Sequence, residues 1–220
     1  MHPLLKYCGN RSLADLQVSL AGSADYIGLV FTRRSRRTVR ADQVRAWLDH
    51  MAVPKDKALV GVFADDPIEM IEDVVKSVPL QVIQLHGKET PRFLKQVKAK
   101  TGTTVWKALH HGPDTLRAMR QYHGIADGFV IDTKVRGALG GTGVSFDWKC
   151  VPNYTAEAAR QRVLCFIAGG ITAENIAHLL DYRPDGIDIA SGIERNSRKS
   201  GELIRKIEEK VRKYDQAAAD

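Results

Sequence analysis

Two side chains that handle protons close apolar runs in this chain. Cys8 ends Leu4–Cys8 and is followed by Gly9; Asp132 ends Gly128–Asp132, after Phe129, Val130 and Ile131. A thiolate is a base or a nucleophile. A carboxyl group at an apolar edge suits a general acid. Together they suggest acid–base chemistry on one substrate. The competing readings are a buried structural cysteine and a loop-capping aspartate. Cys150 and Cys165 are read as structural, since Cys165 sits among Leu164, Phe166 and Ile167. His86, in Gln84-Leu85-His86-Gly87, either orients a substrate or is a structural histidine. Arg37 lies in a basic turn after the second apolar run, and arginine is the preferred fork for a carboxylate.

Three glycine-bearing pieces add a second kind of chemistry. They are Gly140-Gly141-Thr142-Gly143, Ala168-Gly169-Gly170-Ile171-Thr172 and Asp188-Ile189-Ala190-Ser191-Gly192. Each follows or runs on from an apolar run. Such loops expose backbone N–H groups, and a following helix start adds a positive dipole end. In an eight-stranded parallel barrel the loops after strands seven and eight commonly hold phosphate.

The elements that must position these residues recur along the chain. Strand-like runs stand at Leu4–Cys8, Tyr26–Phe31, Ala58–Phe63, Gln81–His86, Val105–Leu109, Gly128–Asp132, Val163–Ala168 and Gly186–Ala190. Their starts are spaced by about 22–35 residues, with helix-period stretches between, which is the cue for βα units and a parallel sheet. Ser12-Leu13-Ala14-Asp15, Pro67, Thr90-Pro91 and Thr172 are read as helix starts. A last helix is expected over about Ser200–Tyr214, with Gln216–Asp220 as a frayed tail. The longest irregular stretch is Thr133–Asp147. The expected fold is α/β, a single (β/α)8 TIM barrel over residues 1–220, since barrels run from about 200 residues upwards.

Parity within the strands supports that fold. Lys6 and Cys8 share a face, as do Gln84 and His86, Val130 and Asp132, and Asp188 and Ala190. Polar groups would be costly against apolar helices, so these are expected to point inward. Lys6 and Lys107 are offered as cations balancing Asp132 or Asp188 inside the barrel, or as an interior ion network.

Composition narrows the class. Hydrophobic residues make up 44% of the 220, enough for a sizeable core. The net charge is +7, but the basic residues are dispersed. The densest cluster, Arg33, Arg34, Arg36, Arg37 and Arg40, has no interleaved aromatics, so an anionic small molecule is the expected partner rather than nucleic acid. Three cysteines without metal-ligand spacing argue for a reducing compartment and against a zinc site. No signal peptide or membrane-spanning stretch is read, so the protein is expected in the cytoplasm, as a monomer or a homodimer.

From about Lys6 to Glu194 the chain resembles the phosphoribosylanthranilate isomerase family. The resemblance rests on Lys6-Tyr7-Cys8-Gly9, Phe31 through Ser35-Arg36-Arg37, Gly61-Val62-Phe63, Gln84-Leu85-His86-Gly87, Asp132 with Gly140-Gly141-Thr142-Gly143 and Phe146-Asp147-Trp148, Ala168-Gly169-Gly170, and Asp188 through Ser191-Gly192-Ile193-Glu194. It implies an Amadori rearrangement with no metal and no cofactor. It implies Asp132 as general acid, Cys8 as base, Arg37 on the anthranilate carboxylate, and His86 and Asp188 lining the pocket. Gly141, Thr142, Gly143, Gly170, Ser191 and Gly192 would hold the phosphate. Three positions depart from the family pattern. Arg36 replaces the usual Pro, so either Arg36 or Arg37 could face the carboxylate. Tyr7 replaces Ile or Leu, and Asn196-Ser197-Arg198-Lys199-Ser200 stands where Pro-Gly and a later Lys-Asp are usual. The rival readings are another phosphosugar TIM-barrel enzyme, such as a histidine-pathway isomerase or an aldolase-like synthase with Lys107 as its Schiff-base lysine, and a non-catalytic binder of phosphorylated ligands.

Overall fold

A computed structural model describes residues 2–133 and 145–217. Eight parallel strands close into a barrel in sequence order: β1 (Leu4–Cys8), β2 (Tyr26–Val30), β3 (Ala58–Phe63), β4 (Val82–Leu85), β5 (Thr104–His110), β6 (Gly128–Asp132), β7 (Leu164–Ala168) and β8 (Gly186–Ile189). The seam closes with Lys6 beside Asp188 and Tyr7 beside Ile189. All eight expected strands are present, with ends displaced by one residue or none.

Helices α1 (Leu13–Leu20), α2 (Ala41–Asp49), α3 (Ile68–Ser77), α4 (Pro91–Thr101), α5 (Thr115–Gln121), α6 (Val151–Gln161), α7 (Ile176–Leu180) and α8 (Gly201–Ala217) follow the strands. Ser12 Oγ accepts from Asp15 N at the start of α1, and Thr90 Oγ1 accepts from Phe93 N at the start of α4. Thr172 does not open α7 directly: a turn intervenes, and the helix begins at Ile176. α8 reaches Ala217, beyond the expected end, with Ile204, Ile207 and Val211 buried against the barrel.

Strand parity sorts the core into two layers. Val60, Val82, Trp106, Ala108, Val130, Phe166 and Ala168 pack inside the barrel. Tyr26, Trp106 and Phe166 meet there at centroid distances of 4.8–5.4 Å. Cys8, Val30 and Val62 form a smaller cluster with Ala190 at the C-terminal mouth. The alternate residues, such as Val105, Phe129 and Ile131, join the larger core beneath the helices. Tyr7 belongs to that outer layer, and its hydroxyl donates to Glu208 of α8 at 3.0 Å.

Lys107 corrects one expectation. It does not point into the barrel to balance Asp132 or Asp188. Its neighbours Trp106 and Ala108 take the interior, so Lys107 faces outward with Val105. There its ammonium donates to Glu89 Oε2 at 2.8 Å and to the carbonyls of Leu85 and Gly87. A buried cation outside the barrel is tolerated because these partners replace its water.

Short 3-10 turns at Trp148–Cys150 and Ser191–Ile193 and one hairpin were not expected. Between β8 and α8 lies a two-stranded hairpin, β9 (Glu194–Arg195) and β10 (Arg198–Lys199).

Candidate active site

The barrel mouth holds an open cavity with about 690 Å³ of empty space, the solvent at its opening included. Its lining draws on strands around the whole barrel: Cys8 from β1, Arg37 from the loop after β2, His86 from the loop after β4 and Asp132 from β6. Gly170 and Ser191 lie beyond β7 and β8, and Asp188 is in β8. Expected site residues far apart in sequence are thus brought to one place. Gly192 stands beside Ser191 but does not line the cavity. Gly141, Thr142 and Gly143 lie outside the described residues.

Cys8 is buried at the end of β1, opposite Gly28 of β2. Burial pushes its thiol up, the Lys6 and Lys199 ammoniums pull it down and the Asp188 carboxylate pushes it up, leaving it above its ordinary value. Lys6 donates to Asp188 Oδ2 at 2.7 Å inside the barrel. Asp188 Oδ1 is buried and has no hydrogen-bond partner among the described residues, yet Asp188 lines the cavity. A ligand hydroxyl is a donor of the right kind for it.

Asp132 has one hydrogen bond and one close neighbour. Its Oδ1 accepts from Thr133 N at 2.7 Å, and its Oδ2 lies 3.3 Å from His86 Nε2. Gln84 Nε2 lies 3.1 Å from His86 Nδ1. Gln84 and His86 thus meet on the shared inward face that strand parity gave them. His86 Nε2 is buried and makes no hydrogen bond among the described residues.

Arg36 and Arg37 separate clearly. Arg36 is exposed, whereas Arg37 is partly buried and lines the cavity. The Ser35 hydroxyl accepts from Arg37 N, and the Thr38 hydroxyl is within reach of the carbonyls of Thr32 and Ser35, donating its one proton between them. These local bonds shape the turn that presents Arg37.

The loops after β7 and β8 touch. A Cβ on Gly192 would come within 1.8 Å of the Ile171 carbonyl oxygen, so only glycine allows this approach. Gly169 and Gly170 take φ of 93° and 64°. Asn175 braces the first loop, donating to the Gly170 carbonyl and accepting from Thr172 N, both at 2.8 Å. Asn175, Glu194 and Lys199 are the supporting residues that sequence reasoning did not single out for the site. Asn175 had a usable signal, a side-chain amide one residue before a helix.

A closed βα barrel with an acid, a thiol and two touching glycine loops at its C-terminal mouth defines a phosphosugar-type enzyme of the TIM-barrel class. Lys107, the lysine offered for a Schiff-base aldolase, does not line the cavity. Residues 5–210 match the family described as N-(5'phosphoribosyl)anthranilate (PRA) isomerase. The chain belongs to that family.

Its relatives include the N-(5'-phosphoribosyl)anthranilate isomerase of Geobacillus thermodenitrificans, 55% identical over 96% of this chain and 94% of the relative. That of Bacillus subtilis is 45% identical over 96% of each. Among solved structures, phosphoribosyl anthranilate isomerase from Thermotoga maritima superposes with a TM-score of 0.82 at 27% identity, covering 96% of this chain and 99% of that one. Another, in complex with reduced 1-(o-carboxyphenylamino)-1-deoxyribulose 5-phosphate, gives a TM-score of 0.79 at 26% identity, covering 96% and 99%.

Proposed function

We propose that this cavity carries out the family's reaction with Asp132 as acid and Cys8 as base. The activity is the isomerisation of N-(5'-phosphoribosyl)anthranilate in tryptophan biosynthesis, an aldose–ketose (Amadori) rearrangement. The Asp132 carboxyl gives its proton to the furanose ring oxygen. The C1'–O bond breaks, and the anthranilate nitrogen lone pair forms a protonated Schiff base at C1'. The Cys8 thiolate then takes the C2' proton and becomes the thiol. The electrons of that C–H bond form C1'=C2', and those of the C=N bond return to nitrogen. The resulting enolamine tautomerises to the ketone. His86 and Asp188 position the sugar, Arg37 forks the anthranilate carboxylate, and the loops bearing Gly170, Ser191 and Gly192, together with Gly141, Thr142 and Gly143, take the phosphate.

The observation that carries this reading is that Cys8 and Asp132, from β1 and β6, line one cavity with both described glycine loops. The test follows loss of phosphoribosylanthranilate fluorescence, with substrate generated in place, for wild type and for variants at both positions. A wild-type enzyme with no turnover would refute it.

The reading takes residues 1–220 as one barrel domain working as a monomer in the cytoplasm. Among the described residues Leu164 is the only exposed large hydrophobic, which gives a partner subunit little apolar surface. The three cysteines are free thiols, which suits a reducing compartment. No described helix is long and apolar enough to cross a membrane.

A further inference from the structure

The β9–β10 hairpin turns through Asn196 and Ser197, whose φ values of 51° and 62° are both positive. That is the backbone a two-residue type I′ turn requires. The turn sets Glu194 opposite Lys199. The hairpin is anchored to α1, where Lys199 N donates to the buried Asp15 Oδ1 at 3.0 Å.

Both paired side chains reach under the cavity. Lys199 Nζ donates to the Cys8 carbonyl at 2.6 Å, the Ala190 carbonyl at 3.0 Å and Glu194 Oε1 at 3.2 Å. Glu194 in turn accepts from Arg37 Nε and Nη2, each at 2.8 Å. The arginine lies across Gly9, where φ is 82° and a Cβ would meet Arg37 Cδ at 2.3 Å. A cation–anion–cation row, buried at Lys199 and partly buried at Glu194 and Arg37, therefore runs across this end of the barrel. Lys199 also ties the ends of β1 and β8 together directly.

We propose that Glu194 and Lys199 are positioning residues for the reaction, acting through Arg37 and the strand end that bears Cys8. The inference rests on Arg37 as the grip for the substrate carboxylate. Glu194 occupies one edge of the guanidinium, and the Nη1–Nη2 edge is a second fork for a planar carboxylate. Lys199 holds the Glu194 carboxylate in place. Without the charge of Glu194, Arg37 and Lys199 face each other as like charges, and nothing keeps the guanidinium over Gly9.

The test is a double-mutant cycle on KM and kcat, using Glu194→Gln, Arg37→Ala and their combination, with Lys199→Met beside them. Glu194→Gln keeps the shape but loses the charge and the fork. It is expected to raise KM about tenfold, with a smaller change in kcat, an effect in the range by which contacting residues couple. In the Arg37→Ala background the same change is expected to add little. Lys199→Met is expected to raise KM in the same sense. An equal KM rise from Glu194→Gln with and without Arg37 overturns the inference and leaves Arg37 in its role. An unchanged KM for Arg37→Ala overturns the role of Arg37 itself. If Glu194→Gln fails to fold by circular dichroism, Glu194→Asp replaces it. Aspartate keeps the charge but falls short of the fork, so it is expected to raise KM partially, and a wild-type KM overturns the inference.

Discussion

Lys6→Met probes the ionic floor beneath Cys8. The Lys6 ammonium is fully buried and donates to Asp188 Oδ2 at 2.7 Å. Methionine fills the space but leaves Asp188 as a buried charge without its partner. Breaking a buried pair from one side costs about 3–5 kcal/mol. In a chain of this length each kcal/mol moves the melting temperature by about 2–4 °C, so the drop should be about 6–20 °C. A second effect falls on chemistry. Lys6 is the main charge holding the Cys8 thiol down against its burial, so its loss moves the thiol further up. Below the thiol pKa, each unit of rise removes about nine-tenths of the thiolate. Calorimetric melting reads the first effect. The second is read from the pH dependence of Cys8 alkylation by iodoacetamide, followed at that residue by mass spectrometry. The rate should climb at higher pH in the variant than in wild type. Lys6→Met with Asp188→Asn should recover part of the melting temperature, because a neutral pair leaves no orphan charge. An unmoved melting temperature together with an unmoved alkylation profile would refute the reasoning.

Three further outcomes are expected. Arg37→Lys should already raise KM, because lysine supplies charge but not the fork, while the exposed Arg36→Ala stays near wild type; kinetics showing the reverse would move the carboxylate contact to Arg36. Ser197→Gly should stabilise the chain by about 1 kcal/mol, since the positive φ there is strained for a side chain, and a melting temperature that does not rise would contradict the turn geometry. Sulfate and inorganic phosphate should inhibit competitively at the loops bearing Gly170 and Ser191, and a noncompetitive pattern would place the anion elsewhere.

The parts of the site legible in the sequence are those fixed by strand register. Cys8, Gln84, His86, Asp132 and Asp188 were placed inward by parity, and the cavity contains all five. Lys107 was misplaced because its polarity was weighed above its parity. It alternates with Trp106 and Ala108, which fill the interior, and Glu89 makes its outward burial tolerable. The hairpin escaped because Asn196-Ser197 lacks the glycine that usually marks a type I′ turn. Lys199 then looked like one more cation in a polar run. Its significance comes from carbonyls at the ends of β1 and β8, which only the closed barrel brings within its reach. The choice between Arg36 and Arg37 also needed the folded turn, since both precede the same helix and differ only in which way the chain faces.

The central claim is the division of labour between an acid and a base on opposite sides of the mouth. It is tested most directly by kcat/KM for Cys8→Ala and Asp132→Asn, measured side by side on phosphoribosylanthranilate. Alanine removes the proton acceptor, and the amide of asparagine cannot give a catalytic proton. Each variant should keep a folded barrel and lose about 10²–10⁴-fold in kcat/KM. Retention by either variant of more than about a tenth of the wild-type value, well short of the loss expected on removing a general acid or base, would contradict the assignment of that residue.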